Sequence, residues 1–223
     1  MTTLLAVRVN AGETAPAPAP PPAEIYGSGW YGAIHMGANI YQDRGDARTF
    51  TNGLGDSLFV DPTNDTGFYG GVKIGYVFGT GSVRFALEED MFYNGWTTGA
   101  DFTLNLNRVT RQSDVSVDVN SGAFMTNGIL RFGTGKFQPY LGVGIGAYYG
   151  ETANVIVGGF STGTSSSHAD FAWNLIAGGD YYFNPKMSMF IEYKYLQYTG
   201  LGNFGSNGEL GQQLLGAGLR FHF

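Results

Sequence analysis

The chain has 223 residues, of which 36 are glycine, 15% are aromatic and only 13% are charged, and its formal net charge is −6. An average soluble domain has about 7% glycine and about 25% charged residues, and an acidic chain without a cluster of Lys and Arg is not expected to bind nucleic acid. The absence of cysteine excludes a disulfide framework, a thiolate metal site and a thiol nucleophile.

Residues 1–24 precede the first predicted strand and end in an Ala/Pro-rich run, APAPAPPP, at 15–22. This composition predicts an extended linker without a core of its own. The short apolar stretch before the run is interrupted by Arg8 and has no basic segment ahead of it. We interpret 1–24 as a signal remnant or a disordered linker, and 25–223 as one domain.

From residue 28 to the end, apolar residues recur at every second position, with small or polar residues between them. Eight strands are predicted: 29–41, 67–79, 83–94, 122–132, 139–149, 171–183, 187–198 and 214–223. In the last, Leu219, Phe221 and Phe223 lie on one face and Arg220 and His222 on the other. These lengths exceed the five or six residues usual in soluble sheets and suit a tilted strand that crosses a bilayer.

The connections between these strands alternate between short and long. The short ones are 79–82, 133–138 and 184–186, and the long ones are about 42–66, 95–120, 150–168 and 200–210. Three tight turns and both termini therefore lie at one end, as in outer-membrane barrels. No apolar run has the length of about 18 residues that a membrane-spanning helix needs, and a closed barrel is the other backbone arrangement that lipid tolerates.

The two faces distinguish a membrane barrel from a soluble sandwich or lipocalin-like barrel. The aromatic and branched face carries almost no charge, and the other face carries glycine. Glycine on a solvent face would only weaken the strands, whereas inside a narrow barrel it makes room for larger residues. The predicted fold class is therefore all-β: a transmembrane antiparallel up-and-down β-barrel of eight strands.

Glu89 departs from this pattern. The parity of the third strand places it on the lipid side, where a carboxylate would be unfavourable by about 1–3 kcal/mol. A β-bulge at Glu88 and Glu89 would turn both side chains inward and shift the parity of the residues that follow. The sequence is compatible with both arrangements.

The inward parity carries five cations and four carboxylates, which are predicted to pair as a barrel-interior ionic network. They are Lys73, Arg84, Glu88, Asp90, Arg131, Asp180, Glu192, Lys194 and Arg220. Because the interior of an eight-stranded barrel is just wide enough for side chains, a matched network predicts a filled barrel without a diffusion channel. A narrow ion channel through these pairs is the alternative.

Candidate catalytic and metal-binding residues are few. Ser167, His168 and Asp170 lie where a lipid-modifying barrel enzyme, such as a lipid A deacylase, would place its catalytic groups. Adjacent residues of a strand point to opposite faces, so Ser167 and His168 are not expected to meet, and no catalytic residue is predicted. Asp61, Asn64 and Asp65 could bind a cation, but they lack EF-hand spacing and are predicted to form a turn around Pro62. No cofactor or metal ion is expected.

The longest connection, 95–120, contains further apolar residues that alternate with polar ones. Leu104 and Leu106 do so in its first half, and Val115 and Val117 do so in its second half. This pattern predicts that the third and fourth strands continue beyond the membrane as a hairpin that turns near TRQSD, at 110–114. Exposed strand edges can take up a partner strand by β-augmentation. In the alternative, the hairpin only adds volume at the surface and binds no partner.

Four stretches, PYLGVGIGAYY, AGGDYYF, IEYKY and GAGLRFHF, resemble the fifth to eighth strands of the small eight-stranded outer-membrane barrels related to the OmpA transmembrane domain, OmpX and opacity-type surface proteins. The resemblance covers about residues 25–223. It implies a monomer in the lipid bilayer of the outer membrane, with a structural or adhesin-like role and a surface ligand bound through long extracellular loops. It also implies that Leu219, Phe221 and Phe223 are the signal read by the barrel-assembly machinery.

Overall fold

A computed structural model describes residues 25–42, 46–157, 160–161, 166–199 and 210–223. The predicted segment 1–24 lies outside these residues. Within them no helix is long and apolar enough to span a membrane. The strands are β1 (Gly29–Gln42), β2 (Arg48–Thr51), β3 (Ser57–Asn64), β4 (Gly67–Phe78), β5 (Val83–Leu106), β6 (Val109–Phe132), β7 (Phe137–Val157), β8 (Phe160–Ser161), β9 (Ser166–Asn184), β10 (Met187–Tyr198) and β11 (Leu210–His222).

Eight of these strands form a closed antiparallel ring. Its order is β1, β4, β5, β6, β7, β9, β10, β11 and back to β1. The ring closes where β1 pairs with β11, with Tyr31 opposite His222 and Gly37 opposite Gly216. Each predicted strand corresponds to one strand of the ring. The prediction of an eight-stranded up-and-down barrel is therefore confirmed.

The period of two in the sequence gives the ring two different surfaces. Outward-facing Met36, Val143 and Ile191 are 58–64% exposed. Inward-facing Lys73 and Glu88 are almost completely buried. Apolar residues outside and charges inside are the reverse of a soluble protein, and a belt of this kind is what lipid covers in a membrane barrel.

Glycines on the inner face make room for large rings. A Cβ atom at Gly216 would lie 2.1 Å from the hydroxyl of Tyr69, and one at Gly75 would lie 2.5 Å from the hydroxyl of Tyr31. Both tyrosines are buried. Their rings lie against bare backbone, so close approach accounts for glycine at these two positions.

The hairpin of β5 and β6 projects far beyond the ring. Each strand is 24 residues long, about twice what a tilted strand needs to cross a bilayer. The turn lies at Asn107 and Arg108, whose φ angles are 49° and 67°. The predicted turn at 110–114 is wrong, because those residues belong to β6. Two-residue turns with positive φ match the twist of the strands, and asparagine tolerates that conformation.

The first long connection adds two strands to this hairpin. Where pairing of β5 with β4 stops, β3 takes the place of β4 beside β5. This pairing runs from Asn64 opposite Thr98 to Ser57 opposite Asn105, and β2 pairs with the other side of β3. The predicted turn around Pro62 is wrong, because Pro62 lies within β3. Pro62 lies opposite Ala100 of β5 in this strand. We call β2, β3, 97–118 and 152–157 the projecting sheet.

Candidate functional site

The interior charges form two linked clusters. At the end of the ring with the short turns, Asp180 accepts hydrogen bonds from Arg131 and Arg220. The hydroxyl of Ser188 donates to the same carboxylate at 3.0 Å. Arg220 also lies 3.5 Å from an oxygen of Glu88, which belongs to the second cluster. These five side chains are buried, so one carboxylate serves two guanidinium groups away from water.

The second cluster surrounds Lys73. Its Nζ lies 3.0 Å from Glu88 and 2.8 Å from Glu192. Lys194 binds Asp90 at 2.5 Å, and Asp90 lies 3.6 Å from Lys73. Four cations therefore meet four carboxylates in one buried network, the arrangement in which buried charges are tolerated.

Two tyrosines and one histidine complete this network. Tyr31 donates to Glu88 at 2.8 Å, Tyr140 donates to Glu192 at 3.0 Å, and His35 Nε2 lies 3.0 Å from Asp90. The sequence places all three on the inward parity, which is the signal that could have identified them. Their partners lie on other strands, and the register between strands decides which groups meet.

Arg84 is the predicted network member that the structure does not bring to a carboxylate. Its guanidinium donates to the carbonyls of Tyr26 and Gly27, each at 2.9 Å, to that of Gly133 at 3.0 Å and to Gln138 Oε1 at 2.6 Å. The remaining interior charges are therefore balanced, four against four. Arg84 instead fixes the segment that precedes β1.

That segment, 26–28, crosses the short-turn mouth of the barrel. The N–H of Tyr26 donates to the carbonyl of Thr134, and that of Gly27 donates to the carbonyl of Pro185. These two acceptors lie in the β6–β7 and β9–β10 turns. The ring of Tyr26 packs 5.9 Å from that of Tyr182. We call 26–28 the mouth segment.

Replacement of Arg84 by alanine is expected to lower the free energy of unfolding by about 1.5–3 kcal/mol, the usual range for hydrogen bonds to a charged group. Urea titration in lipid vesicles would measure this change. Hydrogen exchange of the Tyr26 and Gly27 N–H groups should also accelerate. The exposed Arg48 is the matched control, because Arg48→Ala is expected to change stability by less than about 0.5 kcal/mol. Unchanged stability and exchange in Arg84→Ala would contradict the assigned role.

A polar layer and aromatic rings fill the other end of the interior. Asn94 donates to Gln212 at 2.6 Å and accepts from Asn39 at 3.1 Å. The rings of Tyr148 and Tyr198 pack with centroids 4.2 Å apart. In the described part of the chain, side chains therefore occupy the interior from the mouth segment to this layer.

Glu89 faces outward. β5 pairs through this position without a shift of register, with Glu89 opposite Ile74 on one side and Thr126 on the other. The bulge considered for Glu88 and Glu89 is therefore absent, and only Glu88 points inward. The hydroxyl of Thr126 lies 3.0 and 2.9 Å from the two carboxylate oxygens of Glu89.

Asp56 holds the tip of the projecting sheet. The side-chain amide of Asn52 donates to one carboxylate oxygen, and the backbone N–H of Asn107 donates to the other, each at 3.0 Å. Both hydrogen bonds stabilise the charged form, and they lower the pKa of Asp56. The hairpin turn is thereby joined to the connection between β2 and β3.

One face of the projecting sheet carries a row of carboxylates. Asp61 lies directly opposite Asp101, which lies directly opposite Asp114 on the next strand. They border a groove of about 440 Å³ together with Phe59 and Phe102. Like charges opposite one another weaken a sheet, so this row acts against the stability of the hairpin.

The remaining predicted residues lie near the two ends of the ring. Ser167 and Asp170 are exposed and have opposite parity on β9, and the side chain of His168 lies outside the described part of the structure. In β11, Phe221 faces outward and Leu219 lies opposite Ile34, and Phe223, which directly follows the strand, is exposed. Their role in assembly stays a prediction.

Three solved barrels are similar to this chain. Neisserial surface protein A is 18% identical, with 87% of this chain and 96% of that chain covered and a TM-score of 0.48. The N-terminal barrel domain of Pseudomonas aeruginosa OprF is 18% identical, with 87% of this chain and 98% of that chain covered and a TM-score of 0.38. The third is Ail, the attachment invasion locus protein of Yersinia pestis, in complex with the heparin analogue sucrose octasulfate. It is 15% identical, with 86% of this chain and 99% of that chain covered and a TM-score of 0.39.

A search of curated proteins found no match. A family model does match, over residues 14–223, and it describes an outer membrane protein β-barrel domain. This range contains all eight strands of the ring, the inward charges and the outward apolar belt. The chain belongs to the outer membrane protein β-barrel family, and it lies in the cell outer membrane.

Proposed function

We propose that this barrel is a surface protein that binds a macromolecular partner through the projecting sheet. The observation that carries the proposal is the length of β5 and β6, at 24 residues each. About half of each strand suffices to cross the membrane. The other half forms an ordered sheet beyond it, on the side where barrels of this kind carry their long loops.

The filled interior supports a role outside the barrel. Passage of a solute would require the Lys73 and Asp180 clusters to separate, together with the mouth segment and the polar layer around Asn94. Each separation would expose buried charges or polar groups without partners, which is costly. A binding surface on the projecting sheet needs no such rearrangement.

The charge of the extracellular part favours a partner with a basic surface. Among the described residues beyond the membrane, nine are acidic and three are basic. The acidic ones are Asp46, Asp56, Asp61, Asp65, Asp101, Asp114, Asp118, Glu151 and Asp170, and the basic ones are Arg48, Arg108 and Arg111. Complementary charge accelerates encounter and selects among partners.

Shortening the hairpin tests the proposal. Gly99 and Ser116 lie directly opposite each other, so joining Thr98 to Val117 through an Asn-Gly turn removes the outer hairpin and preserves the ladder below it. Binding to a panel of immobilised envelope and host-surface proteins is expected to fall to background. Heat-modifiable mobility on gels would show that the barrel still folds.

A full-length variant without the row of carboxylates provides the matched control. Asp61→Asn, Asp101→Asn and Asp114→Asn together keep the hairpin and remove the row of carboxylates. If charge attracts the partner, this triple variant should bind more weakly, and binding of the unmodified protein should fall as salt rises. Equal binding by the shortened and unmodified proteins would contradict a role for the projecting sheet.

A further inference from the structure

One face of the projecting sheet is apolar near its distal end. Side chains directly opposite each other on neighbouring strands lie on the same face, and so do side chains two residues apart along a strand. By this rule one face carries five large apolar residues from β2, β3, β5 and β6. They are Phe50, Leu58, Leu104, Leu106 and Val109. The first four border one groove of about 270 Å³, so they form a continuous surface.

This apolar surface is open to solvent. Phe50 and Val109 are each 57% exposed, and Leu106 is 43% exposed. Leu54, in the connection between β2 and β3, is 90% exposed. A contiguous exposed apolar patch with a polar rim marks a contact with another molecule or with a membrane.

The bilayer that the barrel spans does not reach this patch. On β5 the outward apolar belt extends to Tyr93, and Leu106 follows 13 residues later in the same strand. At about 3.4 Å per residue and a strand tilt of about 45°, Leu106 stands about 30 Å above the end of the belt. The patch therefore needs a partner outside the barrel's own membrane.

The charge of this distal end is opposite in sign to that of the whole chain. We call 48–58 and 102–113 the distal tip. Its basic residues are Arg48, Arg108 and Arg111, and its one acidic residue is Asp56. Three cations and one carboxylate give the tip a formal net charge of +2, against −6 for the chain. The three arginines are also all the basic residues found among the described residues beyond the membrane.

Exposed apolar side chains beside arginines fit the surface of a bilayer that contains anionic headgroups. We propose that the distal tip docks on such a bilayer, which faces the membrane that the barrel spans. The apolar side chains enter the boundary between headgroups and acyl chains. The arginines bind the phosphate groups of the lipids.

The row of carboxylates leaves this attraction in place. Asp101 lies five residues below Leu106 on β5, which is about 17 Å along the strand. At physiological ionic strength this distance is about two Debye lengths. Asp101 also lies on the opposite face of the sheet from Leu104 and Leu106, because their parity differs. The tip and the row of carboxylates are therefore two separate surfaces, and the tip serves a second kind of partner.

Co-sedimentation with vesicles tests the proposal on the whole chain. Barrels in phosphatidylcholine nanodiscs are expected to pellet with dense vesicles that contain phosphatidylglycerol and to stay in the supernatant with vesicles of phosphatidylcholine alone. Arg48→Gln, Arg108→Gln and Arg111→Gln should each weaken binding roughly fivefold. Phe50→Thr combined with Leu54→Ser should weaken it by at least about tenfold. Empty nanodiscs should stay in the supernatant throughout.

The opposite face of the sheet supplies the matched control. Asp61→Asn, Asp101→Asn and Asp114→Asn together leave the distal tip intact, so this triple variant should bind the vesicles at least as well as the unmodified protein. The same variant is expected to bind a basic protein partner more weakly. Vesicle binding and protein binding can therefore fail independently of each other.

A fluorescent label shows whether the tip enters the lipid. The chain has no cysteine of its own, so Leu54→Cys carries a single environment-sensitive dye, and Ser116→Cys, seven residues below Val109 on β6, is its control. Emission at position 54 should shift to the blue when vesicles with phosphatidylglycerol are added, and emission at position 116 should not.

Three results would overturn the proposal. They are equal binding to both kinds of vesicle, unweakened binding by the variant that carries Phe50→Thr and Leu54→Ser, and an unshifted emission at position 54. Heat-modifiable mobility on gels would establish that each variant folds.

Discussion

Replacement of Asp180 by asparagine is expected to lower the free energy of unfolding of the barrel by about 3–5 kcal/mol, the range for removing one partner of a buried ion pair. Asp180 accepts hydrogen bonds from Arg131 and Arg220, and all three side chains are buried. Asparagine keeps the shape of the side chain and removes the charge. Two guanidinium groups would then remain inside the barrel without their common counterion. Urea titration of the protein folded in lipid vesicles would measure the loss.

Ser188 provides the control for this experiment. Its hydroxyl donates to the same carboxylate at 3.0 Å, so Ser188→Ala removes one hydrogen bond to this carboxylate and leaves every charge in place. Its expected cost is about 1.5–3 kcal/mol, the range for a hydrogen bond to a charged group. If Asp180→Asn costs no more than Ser188→Ala, the charge of Asp180 is not what holds the two arginines.

A charged extension after Phe223 is expected to reduce insertion of the barrel into the outer membrane severalfold. The family resemblance implies that the assembly machinery reads the last strand. In the structure Phe221 lies on its outward face, and Phe223, which directly follows the strand, is exposed. The N–H of Phe223 donates to the carbonyl of Trp30, so Phe223 is part of the pairing with β1. Four alternating Glu and Lys residues would place charge beside this seam. The fraction of protein with heat-modifiable mobility in isolated outer membranes measures the effect.

The same four residues inserted between Ala23 and Glu24 serve as the control. That site precedes the mouth segment in sequence and adds no charge beside the pairing of β1 with β11, so insertion of the barrel should proceed normally. Phe223→Ala should give a loss in the same direction as the extension. Normal insertion of the extended chain would remove the terminal strand as the signal.

The sequence predicted the ring because one physical rule governs it. Side chains alternate along a strand, so residues such as Ile34 and His35 had to face opposite environments. The same rule could not locate the hairpin turn at Asn107 and Arg108, since residues 110–114 alternate in polarity too weakly to show that they are strand. Backbone conformation at asparagine, rather than polarity, determined where the chain reversed.

The sequence predicted which charged side chains face the interior of the barrel, but not which of them contact each other. Parity placed Lys73 and Arg84 inside the barrel, but which carboxylate each would meet depended on register and on the distance across the lumen. Arg84 lies close enough to the short-turn end of the barrel to reach the carbonyls of the mouth segment, so it binds neutral acceptors. No pattern in residues 26–28 indicates that these carbonyls would be available.

The seam between β1 and β11 has a consequence for how the barrel folds. It joins the two ends of the domain, and the contact between Ser28 and His222 spans 194 positions of sequence. Contacts of such separation form slowly, because the entropy of closing the whole chain is lost before they stabilise it. Until then β1 and β11 each present an unpaired edge that can join another chain. Folding of this protein in bulk water should therefore compete poorly with aggregation, and its yield should rise when a membrane surface is present from the start.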